Sequence, residues 1–99
     1  MDVEHADENL AKLESDSRLI GDFSAEVVRS YRKKLWFLRQ AVDERDLYAM
    51  KSLHFEKLNG ERQHQRSIRL NKQWRLILEI TEASKTEKTV RVIRIEDYH

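Results

Sequence analysis

The apolar residues Val28, Tyr31, Leu35, Leu38 and Val42 recur at steps of three and four, the spacing that places side chains on one stripe of an α-helix. Ser24 stands where an N-cap belongs, and Glu26 suits the positive end of the helix dipole. The pattern therefore predicts a long helix from Ala25 with that stripe buried. Upstream, Met1-Asp2-Val3-Glu4-His5 reads as a short edge strand, and Asp7 as the cap of a short helix carrying Leu10 and Leu13. Downstream, Asp43 caps a further short helix containing Leu47 and Met50, with Glu44 near its start, so a two-helix hairpin is expected.

After Met50 the texture changes. Gly60 breaks the chain, then Ser67-Ile68-Arg69-Leu70 and Trp74-Arg75-Leu76-Ile77-Leu78-Glu79-Ile80 alternate as strands about a turn at Asn71-Lys72. In the second strand Trp74, Leu76, Leu78 and Ile80 share a face, while Arg75, Ile77 and Glu79 point the other way. Residues 81–88 are polar and read as a loop, and Thr89-Val90-Arg91-Val92-Ile93-Arg94-Ile95 reads as a final strand rich in branched residues. The elements compose an α+β fold, a helix hairpin packed on one face of a small antiparallel sheet, with the strand order left open.

Composition bounds what such a fold carries. At 99 residues the chain is one expected domain, 1–99, with room for a single core and a shallow functional surface. It has no cysteine, which excludes disulfides and thiolate metal sites. No apolar run approaches the roughly 20 residues of a membrane span, and the acidic start is unlike a secretory signal, so a soluble cytoplasmic protein without membrane contact is expected.

Net charge is only +1, but its distribution is uneven. Residues 1–50 carry 8 Lys/Arg against 11 Asp/Glu, and residues 51–99 carry 11 against 7. Between positions 51 and 75, Lys51, Lys57, Arg62, Arg66, Arg69, Lys72 and Arg75 face only Glu56 and Glu61, a local patch that favours polyanions. Arg29, Arg32, Lys33, Lys34 and Arg39 decorate the outer face of the long helix, where an ordinary solvated surface is the preferred reading.

The candidate chemistry is acid-base. There is no glycine-rich phosphate loop, and His5, His54, His64 and His99 lack the paired spacing of a helical zinc site, so neither metal nor cofactor is expected. The chain ends on Glu96-Asp97-Tyr98-His99 directly after a strand, which would deliver titratable groups to one place. RNA brings its own nucleophile, the 2'-hydroxyl. Its cleavage needs a base, cations for the charged phosphorane and an acid for the leaving oxygen, roles that suit histidine and arginine. Asp97 can orient His99; the plain alternative is a polar terminus without a role. His54 is either a second acid-base group or, as preferred from local sequence, a histidine hydrogen-bonded under the helix hairpin. His64 reads as exposed turn and Trp74 as core, whereas Arg69 and Arg75 project from a rigid strand frame.

Three stretches carry a resemblance: Lys51-Ser52-Leu53-His54-Phe55-Glu56-Lys57-Leu58-Asn59-Gly60-Glu61-Arg62, then Ser67-Ile68-Arg69-Leu70-Asn71-Lys72-Gln73-Trp74-Arg75-Leu76, and the terminal Glu96-Asp97-Tyr98-His99. Together with Tyr31-Arg32-Lys33-Lys34-Leu35 and Asp43-Glu44-Arg45-Asp46-Leu47 they resemble the HigB-type killer toxins of the RelE/ParE superfamily. The resemblance implies a RelE-like fold and a toxin that cuts mRNA on the ribosome, leaving a 2',3'-cyclic phosphate, until a HigA-like helix-turn-helix antitoxin silences it. Operator DNA is then met only through the antitoxin.

Carried over by position, Asp97, Tyr98 and His99 fall on the family's catalytic tail and Arg75 on its strand arginine, with His54 a further catalytic candidate. From the basic run itself, Arg69, Arg62, Lys57, Arg66 and Lys72 are the candidate RNA- and phosphate-binding set. Many members place a histidine four residues before the glycine and a lysine immediately before it. Here His54 lies six residues before Gly60 and Asn59 fills the lysine position. Either His54 and Lys57 recover the same geometry, or Arg62, Arg69 and Arg75 carry the charge instead. A superfamily member that poisons DNA gyrase, or one that only binds its antitoxin, is the competing expectation.

Overall fold

The computed structural model describes residues 1–84 and 87–97. Each helix opens at the residue nominated by its capping chemistry. Asp7 accepts the Leu10 backbone N–H at 2.9 Å at the head of α1 (Glu8–Ser15), and Ser24 accepts that of Val27 at 3.2 Å at the head of α2 (Ala25–Gln40). Asp43 accepts from the Arg45 N–H at 2.8 Å while Asp46 accepts from the Asp43 N–H at 3.4 Å, a reciprocal cap for α3 (Glu44–Ala49).

The predicted stripe is buried at Val28, Tyr31, Leu35 and Leu38 but not at Val42, which is 79% exposed. The helix stops at Gln40, and Ala41 turns extended. The Val42 N–H then donates to Asp46 at 2.8 Å instead of continuing the helical ladder, so the α3 cap takes the bond that would have kept Val42 on the stripe. Met50 likewise falls outside its expected helix, as the residue that ends α3, and packs partly buried against the core.

The strands are β1 (Asp2–His5), β2 (Glu56–Lys57), β3 (Arg66–Arg69), β4 (Trp74–Glu82) and β5 (Lys88–Asp97), in the order β1-β5-β4-β3-β2. The expected antiparallel pairing holds for β2–β3, β3–β4 and β4–β5, but β1 adds to β5 in parallel, making the sheet mixed. A parallel neighbour requires a crossover, which the helices and the other strands between β1 and β5 provide. The loop expected over 81–88 is shorter than its polarity suggested. Thr81 pairs with Thr89 and Glu82 with Lys88, because the hairpin end is solvated and backbone pairing there does not depend on apolar side chains. Between Ile77 and Leu78 the β4–β5 register shifts, with Ile77 opposite Arg94 and Leu78 opposite Val92, so that Ile93 is the extra residue of a bulge.

One face of the sheet carries Ile68, Leu76, Leu78, Val90 and Val92 against the helix stripe, forming the core with Leu10, Leu13, Leu47 and Leu53. The Tyr31 hydroxyl crosses from α2 to donate to the Leu10 carbonyl at 2.9 Å inside that core, where burial pushes the phenol well above its usual range. Two cations of the outer α2 face are committed to the fold. Arg32 donates to the carbonyls of Leu13, Asp16 and Leu19 at 2.9, 2.7 and 2.7 Å, tying down the end of α1 and the segment after it. Arg39 grips both carboxylate oxygens of Glu14 at 3.0 and 2.8 Å, and His5 Nε2 lies 2.9 Å from the same group.

On the opposite face none of the described α-helices packs, yet Ile77 is only 1% exposed. Segment 58–65, which includes the 3-10 turn Gly60–Arg62, sends side chains over it. Arg62 reaches Glu96 on β5 and Gln65 reaches Glu79 on β4, bracketing Ile77.

Replacing Tyr31 by Phe will leave the Leu10 carbonyl without its donor, and urea unfolding should show a loss of about 1–3 kcal/mol. The Glu14 cluster gives a pH signature. Burial works to raise the Glu14 carboxyl, and the hydrogen bond and charge of Arg39 with those of His5 outweigh it, so its pKa is lowered. A lowered folded pKa stabilises above the unfolded carboxylate value and that contribution disappears as pH falls through the folded value. Urea midpoints measured from about pH 6 to about pH 3 should therefore drop more steeply in the wild type than in Arg39→Gln.

Candidate active site

Strand alternation sorts the basic run of positions 62–75 onto two faces. Arg75 lies opposite Arg69 on β3 and Glu96 on β5, and all three project to the face without helices. Ser67 and Arg94, both opposite Ile77, share that face, and Arg62 reaches onto it from the covering segment. The guanidinium groups of Arg62, Arg69, Arg75 and Arg94 are thus gathered at the end of the sheet where β5 finishes.

Arg75 is buried, and its Nη1 donates to the His54 carbonyl at 3.2 Å. That carbonyl is aimed by an unusual backbone. His54 ends the 3-10 turn Lys51–Leu53 with φ 48°, in the left-handed region seldom taken by residues other than glycine and asparagine. Phe55 follows directly and is buried, edge-on to Tyr48 with ring centroids 4.8 Å apart, which anchors the far side of the turn. The His54 imidazole is exposed rather than hydrogen-bonded under the helix hairpin, correcting the preferred local reading. The left-handed backbone turns the carbonyl toward Arg75 and leaves the ring at the surface.

Arg62 holds Glu96 with both arms of its fork, at 3.1 and 2.9 Å, and Arg94 Nε donates to the same carboxylate at 3.1 Å. Burial works to raise the Glu96 carboxyl, but the hydrogen bonds and charges of Arg62 and Arg94 outweigh it and hold its pKa below the usual carboxylate range. Arg62 is steadied from behind by Gln65, which accepts from its Nε at 3.2 Å and itself donates to Glu79 at 3.2 Å. His64 Nε2 stands 3.6 Å from Glu79. Arg69 donates to the Asn71 carbonyl at 3.3 Å, fixing its stem over the β3–β4 turn.

The other sequence candidates are dispersed. Arg66 lies opposite Leu78, on the helix side of the sheet, where it binds Glu44 at 2.8 Å. Lys57 is exposed on the two-residue edge strand β2, and Lys72 is exposed in the β3–β4 turn. Asp97 pairs with Trp74 at the end of β5 and accepts from Gln73 at 3.1 Å. Tyr98 and His99 lie outside the described residues.

Sequence reasoning gave no role to Arg94, Glu96 or Gln65. Arg94 and Glu96 are two apart on one strand and so share a face, a usable signal. Their partnership with Arg62 depends on a register that the bulge at Ile93 resets. Among the described residues there is no group of three or more His, Asp or Glu side chains placed to hold a metal ion. Among the same described residues no helix is long and apolar enough to cross a membrane.

Known proteins share this fold. A solved structure titled "YoeB/ParE toxin from Agrobacterium tumefaciens" superimposes with a TM-score of 0.65 over 100% of both chains at 14% sequence identity, a likeness of fold. No curated protein matches the chain. The model of the HigB-like toxin family, described as the RelE-like toxin of type II toxin-antitoxin system HigB, matches residues 3–93, which takes in the helices and nearly all of the sheet. With that span matched, the chain belongs to the HigB-like family of RelE-like toxins, the toxins that type II systems pair with an antitoxin.

Proposed function

We propose that this toxin is a metal-independent endoribonuclease that cuts mRNA on the ribosome. The observation that carries the reading is the gathering of Arg62, Arg69, Arg75 and Arg94 on the sheet face without α-helices, at the end where β5 finishes on Asp97, the residue before Tyr98 and His99 in sequence. Cleavage by the RNA 2'-hydroxyl places a second negative charge on a pentacoordinate phosphorus. Rigidly held guanidinium groups stabilise that charge where it develops, without reorganising during the step. Arg75 is the best positioned for this, because the His54 carbonyl and its flanking strands fix it from several sides, and Arg69 is its cross-strand neighbour.

In this reading His99 supplies the general acid or base, Asp97 orients it, and Tyr98 positions or stacks on a base. The imidazole of His54, an exposed residue whose carbonyl accepts from Arg75, is a second proton carrier. The partners are the ribosome with its mRNA and a helix-turn-helix antitoxin, and such a substrate sets the site of action in the cytoplasm. Lys57 on the edge strand, Lys72 in the exposed β3–β4 turn and Arg66 on the helix side of β3 fall to peripheral contact with RNA or to structure.

The test is to programme purified ribosomes with a defined mRNA and map the new 5' ends. His99→Gln should slow cleavage by about a hundredfold or more, and Arg75→Gln by about 10²–10³, with far-UV circular dichroism unchanged. Equal cutting by His99→Gln would remove that residue from the mechanism. Intact mRNA with wild-type protein, together with inhibited DNA supercoiling by gyrase, would replace the nuclease with a gyrase-binding toxin.

A further inference from the structure

The Glu96 carboxylate sits among cations in the way a bound anion does. Arg62 meets both of its oxygens with its fork, and Arg94 adds a third bond, to one of the same oxygens. Carboxylate and phosphodiester present the same two-oxygen edge to a guanidinium, so a cradle built for one accepts the other. Glu96 lies directly opposite Arg75 in register, which puts its carboxylate on the face argued above to hold the scissile phosphate.

We propose that Glu96 is an internal stand-in for an RNA phosphodiester: its carboxylate keeps Arg62 and Arg94 organised in the free protein, and an incoming phosphate displaces it. The inference rests on the endoribonuclease reading and adds to it the residue that sets how tightly the face grips RNA. Glu96 acts on the substrate through Arg62 and Arg94, which makes it a positioning residue.

Three features make the exchange feasible. The contact is reachable from solvent, since the side chains of Arg62, Glu96 and Arg94 remain 40%, 28% and 48% exposed. Arg62 does not depend on Glu96 alone. Gln65 holds its Nε, and the Gln65–Glu79 bond keeps that support on β4, so the fork stays in place when the carboxylate turns away. Finally, charge is conserved in the swap: one monoanion leaves the two guanidinium groups as another arrives, and the freed carboxylate, near the end of β5, is rehydrated at the surface.

The experiment uses the full-length protein and a fluorescein-labelled single-stranded RNA of about twelve nucleotides carrying 2'-O-methyl groups, which binds but lacks the attacking hydroxyl. Anisotropy is followed over a series of salt concentrations. Glu96→Gln removes the competing charge while nearly preserving shape. It should tighten binding on the order of tenfold while leaving the slope of the salt dependence nearly unchanged, because the same phosphate is neutralised in both proteins. Arg62→Gln should weaken binding, and the gain from Glu96→Gln should vanish when Arg62 and Arg94 are both Gln.

Unchanged or weaker binding by a folded Glu96→Gln protein overturns the proposal, as does a gain that persists without Arg62 and Arg94, which would reflect net charge alone. Glu96→Asp, one methylene shorter, serves if the glutamine variant does not fold. It retracts the carboxylate and should also tighten binding, and no tightening there overturns the proposal equally. Cleavage on programmed ribosomes is measured beside it. Tighter RNA binding with no cleavage by any protein retires the nuclease reading and leaves the RNA site standing, whereas cleavage with unchanged binding does the reverse.

Discussion

The central strand β4 has to bury both of its faces, and much of the molecule follows from that constraint. Leu76 and Leu78 meet the helix stripe, while Arg75 and Ile77, which alternate with them, are also nearly inaccessible although none of the described α-helices covers their side. A strand covered on both faces ordinarily reads as a continuous apolar run. Here one of its inner positions is a guanidinium, which is costly to bury unless its donors are satisfied. The left-handed turn at His54 supplies a carbonyl to Arg75, and segment 58–65 shields Ile77. The turn and the covering segment are therefore part of the folding requirement of β4 and, at the same time, the walls of the candidate site.

The basic residues divide by what their neighbours ask of them. Arg32, Arg39 and Arg66 close the helix layer: one ties off α1 through three carbonyls, one grips Glu14, and one joins β3 to Glu44 at the head of α3. Arg62, Arg69, Arg75 and Arg94 lie on the other side. Arg66 and Arg69 sit in the same four-residue strand, and the pleat alone sends them to opposite faces. A chain of net charge +1 thereby builds a concentrated positive surface without carrying a large overall field.

Within that surface Glu96 limits the self-repulsion of close guanidinium groups. Arg69 and Arg75 are direct cross-strand neighbours, an arrangement of like charges that is unfavourable on its face. The His54 and Asn71 carbonyls take up part of their hydrogen-bonding demand, and Glu96 neutralises the Arg62 and Arg94 side of the group. The same contacts that make the face tolerable in the folded protein keep it organised for an anion.

What could be read from the sequence was local. The caps at Asp7, Ser24 and Asp43, the buried stripe from Val28 to Leu38 and the two-faced alternation of β4 each depend on residues within about four positions of one another, where backbone geometry alone fixes who meets whom. The same locality placed Arg69 and Arg75 on a rigid strand frame. Local reading failed where two nearby interactions competed, as when the Asp46 carboxylate took the Val42 N–H beyond the end of α2, and where distant partners decided, as when the crossover let β1 add in parallel. The Arg62–Glu96 clamp spans 34 positions and passes through a register shifted by the bulge at Ile93, and the exposure of His54 follows from one left-handed residue. Such features are settled by tertiary packing, because cross-strand register and the direction of a single turn are set by the sum of contacts across the sheet rather than by any periodicity along the chain.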